Sequence, residues 1–223
     1  MMASMEEIIN DAFRFAGIEI TFETAKHLGS YAVELVKWNS KINLTTITDL
    51  KEIAVKHFVD SLYASAFLIS ECRLLDAGSG AGLPGIPLAI VRKDITVTSV
   101  DATSKKIHFQ RYISRTLDMK NFTSLHSRIE SLGEGSHKRF DAVISRAVTD
   151  IQTFAGLAGP YIKDGGRMII MKGPGSRGEI DSSEKKLSDA GFYIETDRLF
   201  TLPYGYGERR IIAAKRLTGG LKK

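Results

Sequence analysis

A chain of 223 residues and 24.6 kDa has the size of one ordinary domain with a proper core. Its 43% apolar and 26% charged residues exclude a disordered tail, and apolar runs such as Leu62 to Ile69 and Ile86 to Val91 are far short of the roughly 20 residues that span a bilayer. The opening MMASMEEIIN has acids and no basic stretch, so a secretory signal is not expected, and the lone Cys72 cannot close an intramolecular disulfide. Both features suit a reducing compartment, the cytoplasm. A net charge of +5 with a pI near 9.2 suits a polyanionic partner or an ordinary basic surface, and composition does not choose between them.

Three helices are expected first. Ile8, Ile9, Ala12, Phe13 and Ala16 recur at helical spacing and Gly17 stops the run. Thr21 is the expected cap of a second helix with Ala25, Leu28, Ala32, Leu35 and Val36 on one face, and a third covers Leu50 to Leu68. They make an N-terminal helical extension, residues 1–70, on a core unit of residues 71–223. From Arg73 strands and helices alternate. Strands are expected at Arg73 to Ala77, Thr96 to Asp101, Thr123 to His126, Ala142 to Ser145 and Arg167 to Met171, with helices near Gly85 to Val91, Lys105 to Leu117 and Ile151 to Tyr161. That alternation predicts a mostly parallel sheet covered on both faces. Tyr193 to Phe200 and Arg209 to Arg216 are joined by TLPYGYGE, too short for a helix, so they close the sheet as an antiparallel hairpin. The resulting seven-stranded α/β layout is that of the Rossmann-like class I methyltransferases.

The segment LLDAGSGAGLPGIPLAIV, Leu74 to Val91, carries the chemistry. A strand ends near Asp76, and Gly78, Gly80 and Gly82 follow before a helix opens at Pro84. Glycines allow the sharp turn and the close approach of backbone to a ligand. The ligand expected is S-adenosylmethionine, with loop amides meeting its carboxylate and Asp76 facing its amino group, directly or through water. A nicotinamide cofactor is the competitor: Gly80, Gly82 and Gly85 satisfy G-x-G-x-x-G, and Asp101 lies 19 residues past Gly82. That match falls two residues late, and the chain has no second substrate domain. Asp101 suits both ribose hydroxyls or a helix cap. Ile129 and Glu130, in SRIESL, fall where an adenine is read, or simply begin a helix.

The fourth strand ends in FDAVISRAV, which places Arg146 at the reacting position. A cytosine carbon-5 enzyme needs a thiolate there, and Cys72 precedes the first strand. An exocyclic-amine enzyme carries an Asn/Asp-Pro-Pro-aromatic tetrapeptide, which is absent. A ribose-hydroxyl enzyme needs an aspartate with two lysines and a glutamate; Lys172 and Glu208 are present, but Arg146 cannot act as a base. An acceptor that needs no deprotonation remains, such as guanine nitrogen 7, reached by alignment and electrostatics. A guanidinium can read a guanine Hoogsteen edge or hold a phosphate.

These blocks resemble the glucose-inhibited division protein B family, bacterial methyltransferases that form 7-methylguanosine in small-subunit ribosomal RNA. The resemblance runs from WNSKINLTTI (Trp38 to Ile47) and KHFVDSL (Lys56 to Leu62) through GSGAGLPGIP, SRIES, ISRA and Lys172-Gly173 to GERRIIAAKR. It implies that Gly78, Leu83, Asp101, Ala102, Thr103, Ile129, Glu130 and Arg146 line the cofactor site. It also implies that Asn39, His57, Arg128, Lys172 and Arg209 face RNA or the target base, with Asn39 and Lys172 joining Arg146 in catalysis. Asn39 also suits a cap at the end of the second helix, and His57 a hydrogen-bonded core position. Arg210-Ile211 departs from the family pattern. The partner implied is ribosomal RNA or the small ribosomal subunit, bound by a monomer without metal or membrane.

Overall fold

The computed structural model describes residues 4–146 and 150–218. Met1 to Ala3 of the opening segment and Ala147 and Val148 of FDAVISRAV lie outside the described residues. Helix α1, Met5–Phe15, begins with a reciprocal cap in which Ser4 and Glu7 satisfy each other's backbone amides. Helix α2, Phe22–Asn39, starts on Thr21, whose hydroxyl accepts from the Thr24 amide. The third stretch is not one regular helix. It runs as α3 (Leu50–Ile53), a π-helical turn (Ala54–Val59), α4 (Asp60–Tyr63) and a 3₁₀ turn (Ala64–Phe67). The wider π turn brings His57, Asp60 and Ser61 inward among apolar neighbours, and all three are buried.

The remaining elements are β1 (Arg73–Ala77), α5 (Gly85–Val91), β2 (Thr96–Asp101), α6 (Ser104–Thr116), β3 (Phe122–His126), β4 (Phe140–Ser145), α7 (Ile151–Ala158), β5 (Ile162–Lys172), α8 (Arg177–Asp189), β6 (Phe192–Thr201) and β7 (Glu208–Arg216). They form a seven-stranded sheet in the order β3-β2-β1-β4-β5-β7-β6. The first five strands are parallel, and β7 lies antiparallel to both β5 and β6. The expected parallel sheet closed by a C-terminal hairpin is therefore the one that forms. Strand order reverses between β1 and β4, so the crevice beyond their carboxyl ends is where a ligand is expected in such a sheet.

Two further elements depart from the sequence reading. β5 starts at Ile162 instead of Arg167, because Phe140 pairs with Ile162 and Ala142 with Arg167, leaving Lys163 to Gly166 as a bulge. Gly165 takes a φ of +76°, which reads in sequence as a strand break. Helix α8 was not expected at all. Its buried positions are Ile180, Ser183 and Leu187, so only two apolar side chains mark its inner face.

The N-terminal helices share one core with one face of the sheet, and the buried Tyr31 of α2 stacks on Phe58 and Phe109 within it. The Tyr31 hydroxyl donates to the Ala81 carbonyl, 2.9 Å away, and so ties α2 to the glycine loop. Tyr31→Phe should cost about 1 to 2 kcal/mol in denaturant unfolding, since a buried carbonyl loses its partner at unchanged packing. A loss within a few tenths of a kcal/mol would show that the link contributes nothing.

Candidate functional site: the crevice between the first and fourth strands

The glycine loop follows β1 at the crevice. Gly78, Gly80 and Gly82 adopt φ of +69°, +59° and +96°, a region that L side chains rarely enter. They do different work. A Cβ on Gly82 would strike the Ile86 side chain at 2.3 Å, so this glycine permits α5 to pack. A Cβ on Gly80 would meet nothing within 4 Å, so its free side opens onto space a ligand can fill.

Below the loop is a ring of buried hydrogen bonds. The Gln110 amide donates to Ser79 Oγ and to the Gly80 carbonyl, both at 2.8 Å. Ser99 Oγ donates to Gln110 Oε1 at 2.6 Å, and the Ser79 and Ser99 hydroxyls lie 2.6 Å apart. None of these three residues was singled out in the sequence, because Gln and Ser at interior positions carry no spacing signal.

Asp76 and Asp101 both brace this loop. Asp101, 8% exposed, accepts from the Gly80 amide at 2.9 Å and from the Thr103 amide at 2.8 Å. It does not cap α6, a position held by Thr103. Asp76 is fully buried, and its Oδ2 accepts from the Gly85 amide at 2.8 Å. Burial pushes this carboxyl up to about 7, opposed by the Gly85 bond and by Arg146. Asp76 Oδ1 is buried without a partner among the described residues, and most loop amides are engaged within the protein. Those of Gly78 and Ser79 donate to the Val100 carbonyl, and those of Gly82 and Leu83 to the Ser79 carbonyl.

Around the opening, Ala102, Thr103 and Glu130 are exposed, and Leu83 and Ile129 are half-buried. His126 Nε2 lies 3.0 Å from the Ala102 carbonyl and fixes the loop after β2. Open space above Gly80, the carboxylate of Asp101 and the apolar Leu83 and Ile129 fit a nucleoside with a short charged tail, as S-adenosylmethionine is.

Arg146 leaves the end of β4, the other wall of the crevice. Its Nη2 donates to the Lys56 carbonyl at 3.3 Å and lies 3.4 Å from Asp60 Oδ2. Its Nη1 is buried without a partner. Arg209, at the start of β7, donates from Nε to Asp60 Oδ1 at 2.7 Å. A carboxylate with 0% exposure thus sits between two guanidiniums from opposite parts of the chain. Asp60 lies in the KHFVDSL block, where nothing in the sequence marks it as a functional residue. An aspartate in a helical run reads as surface charge until the fold buries it.

The other expected site residues are largely engaged inside the protein. Lys172 is 11% exposed, and its ammonium donates to both Glu179 oxygens at 2.7 and 2.8 Å. Glu179 also accepts from the Ile151 amide, so it joins β5, α7 and α8. Lys172 is therefore paired, whereas the single charge of Asp60 is shared by Arg146 and Arg209 and offsets only one of the two guanidiniums. Arg128 is exposed. Asn39 Oδ1 accepts from the Leu44 and Thr45 amides at 2.8 and 3.0 Å and folds the loop after α2. Thr45 Oγ1 lies 2.9 Å from His57 Nε2. Burial, aided by Arg146, pushes the His57 imidazole down to about 4, so it is neutral near pH 7. Cys72 is buried, with its thiol pushed up to about 12 by that burial. No helix among the described residues is long and apolar enough to cross a membrane.

Solved structures define the class first. The fold is similar to a SAM dependent methyltransferase from Aquifex aeolicus, with a TM-score of 0.58 at 17% identity, covering 82% of this chain and 98% of that one. It is also similar to M. jannaschii TYW2 in complex with AdoMet, with a TM-score of 0.59 at 14% identity, covering 79% and 78%. The fold is that of the Rossmann-like methyltransferases.

Sequence relatives are much nearer. The Ribosomal RNA small subunit methyltransferase G of Geotalea uraniireducens is 42% identical over 201 residues, 90% of this chain and 92% of that protein. The protein of the same name from Leuconostoc mesenteroides is 36% identical, covering 87% and 84%. The GidB family model, described as rRNA small subunit methyltransferase G, matches residues 24–196, and the chain belongs to that family.

His57 gives the site a measurable signature. Its neutral form is favoured by the fold, so its contribution to stability is complete above pH 6.5 and is lost as pH falls through 6.5 toward 4. Over that window wild type should lose about 3 kcal/mol relative to His57→Gln. Asp76 acts in the opposite sense between about 7 and 3.8, and the comparison with the variant cancels it. Parallel stability curves for the two proteins from pH 7 to pH 4 would refute a depressed histidine.

Proposed function

We propose that this chain transfers the methyl group of S-adenosylmethionine to nitrogen 7 of a guanine in the RNA of the small ribosomal subunit, acting as a monomer in the cytoplasm. The observation that carries the reading is that the reacting wall presents an arginine whose neighbouring carboxylate is ion-paired, while the one raised carboxyl of the crevice, Asp76, is buried beneath the glycine loop. That arginine, Arg146, stays protonated. His57 is neutral and a weak base, and Cys72 is a buried thiol at the amino end of β1. When bound, S-adenosylmethionine supplies an electrophilic methyl on a sulfonium, and a ring-nitrogen lone pair can accept it without losing a proton.

The chain's own residues then position and stabilise. The open side of Gly80, with Asp76, Gly78, Leu83, Asp101, Ala102, Thr103, Ile129 and Glu130, would hold the cofactor. Arg146 would touch the acceptor or its phosphate, because its Nη1 has no partner among the described residues. Asn39 and Lys172 act through other groups, Asn39 by folding the loop after α2 and Lys172 by anchoring Glu179 under α7. Family membership supports the RNA substrate, and the lone buried cysteine suits a reducing compartment.

The test is to incubate the protein with labelled S-adenosylmethionine and small-subunit RNA from cells lacking the gene, then map the product by nuclease digestion and mass spectrometry. The expected result is 7-methylguanosine at one position. Arg146→Ala should slow single-turnover transfer by an amount on the order of 2 to 4 kcal/mol in barrier height. Methylation of a ribose hydroxyl or an exocyclic amine, or none, would overturn the reading.

A further inference from the structure

Of the cations expected to grip RNA, Lys172 and Arg209 are paired with Glu179 and Asp60, and Arg128 is exposed. A denser cluster of cations without ion-pair partners among the described residues lies elsewhere. Helix α6 reads SKKIHFQRYISRT, with Lys105, Lys106, Arg111 and Arg115 and no acid. None of the four has an ion-pair partner among the described residues. Lys105, Arg111 and Arg115 are exposed and lie along about 15 Å of helix, at 1.5 Å per residue.

A groove of about 550 Å³ runs beside this helix, over edge strand β3. Arg111, Arg115 and His108 line it together with Trp38 and Tyr112, whose rings lie 5.1 Å apart and half-buried. Its floor includes Ser124, 6% exposed, whose Oγ is buried without a partner. A second cavity of about 260 Å³ lies at the start of α6, lined by Lys41, Lys105, Lys106 and the cofactor-side Thr103. Neither lining contains a carboxylate. Cations and aromatic rings lining one groove, with a buried hydroxyl that has no partner among the described residues, are the composition of a single-stranded nucleic-acid track, where phosphates meet the charges and bases lie on the rings.

We infer that the α6–β3 groove, with the lysine cavity above it, is an RNA-binding surface that holds a single-stranded segment flanking the methylated guanine. This rests on the methyltransferase reading and adds where its substrate is gripped. The upper cavity touches Thr103, so the track begins beside the cofactor cradle and leads away along α6. The sheet-end arginines are left to organise the reacting centre.

The test uses a fluorescein-labelled single-stranded RNA oligonucleotide, with affinity read by anisotropy between low and moderate salt. Two variants are compared with wild type: Lys105→Glu/Arg111→Glu/Arg115→Glu on the track, and Lys185→Glu/Lys186→Glu on the exposed side of α8. The track variant should bind at least tenfold more weakly, with the slope of log affinity against log salt reduced by about 2, since each lost phosphate contact removes roughly 0.7 on a single strand. The α8 variant should change little, and S-adenosylhomocysteine affinity by calorimetry should match wild type in both. If the triple reversal does not fold, Arg111→Gln/Arg115→Gln should show the same trend at reduced size. Unchanged RNA affinity and slope in the track variant, or an equal loss in both variants, would overturn the inference while leaving the methyltransferase reading intact. So would a track variant that loses only binding to phosphatidylserine vesicles. Wild-type protein that binds S-adenosylhomocysteine but neither binds nor methylates RNA would bring down both.

Discussion

Asp60 carries its charge with no exposure to solvent, held between Arg209 at 2.7 Å and Arg146 at 3.4 Å. A buried carboxylate is tolerable only when paired, and loss of one partner in such a cluster typically costs about 3 to 5 kcal/mol. The three residues come from α4, the end of β4 and the start of β7, so their pairing fixes the helical extension and the sheet hairpin to the reacting wall. The π turn before Asp60 has its consequence here. It carries Asp60 and His57 inward, and it places the Lys56 carbonyl where it accepts from Arg146. Arg146 is thus anchored through Nη2, leaving Nη1 as the group with bonding capacity to spare.

The other wall of the crevice is organised on the same principle, with polar groups facing inward and ligand space outward. Asp76, Asp101 and Gln110 satisfy the backbone of the glycine loop from below, and Ser79 and Ser99 hold the Gln110 side chain in place. The loop therefore arrives rigid, with its positive-φ glycines already set and the free side of Gly80 facing open space. A preformed cradle loses less on binding than one that must be ordered by its ligand. Both walls are built by carboxylates that serve the protein's own donors, which is why so few charged groups are left over for the reaction.

Much of this was legible in the sequence. The strands from Arg73 to Ala77 and from Thr96 to Asp101 and the helix from Gly85 to Val91 form with the expected limits, because apolar runs bounded by glycine and charged residues leave little choice. The hairpin was readable from the shortness of TLPYGYGE. Helix α8 was not, because two buried apolar residues in thirteen do not make a periodic signal. Partnering was the least legible property. Lys172 and Arg209 stand at strand ends, where free cations would face a ligand, yet their partners Glu179 and Asp60 come from other elements and only the fold brings them together. The same blindness hid the converse feature, four cations on α6 without ion-pair partners among the described residues, because an acid-free helix reads as ordinary surface until its neighbours are known.

The central claim is that the reacting wall works by a fixed, internally braced arginine and by no group that must gain or lose a proton. The most direct measurement is the single-turnover rate of methyl transfer at saturating cofactor and RNA, followed from roughly pH 6 to pH 9. Arg146 keeps its proton throughout that range, His57, held near 4, stays neutral, and Asp76, pushed up to about 7, titrates within it but lies buried beneath the glycine loop on the other wall. The account predicts a nearly flat profile, unchanged in shape by His57→Gln. A sigmoidal rise near neutral pH that His57→Gln abolishes would contradict it, because it would show that an enzyme base removes a proton during the transfer.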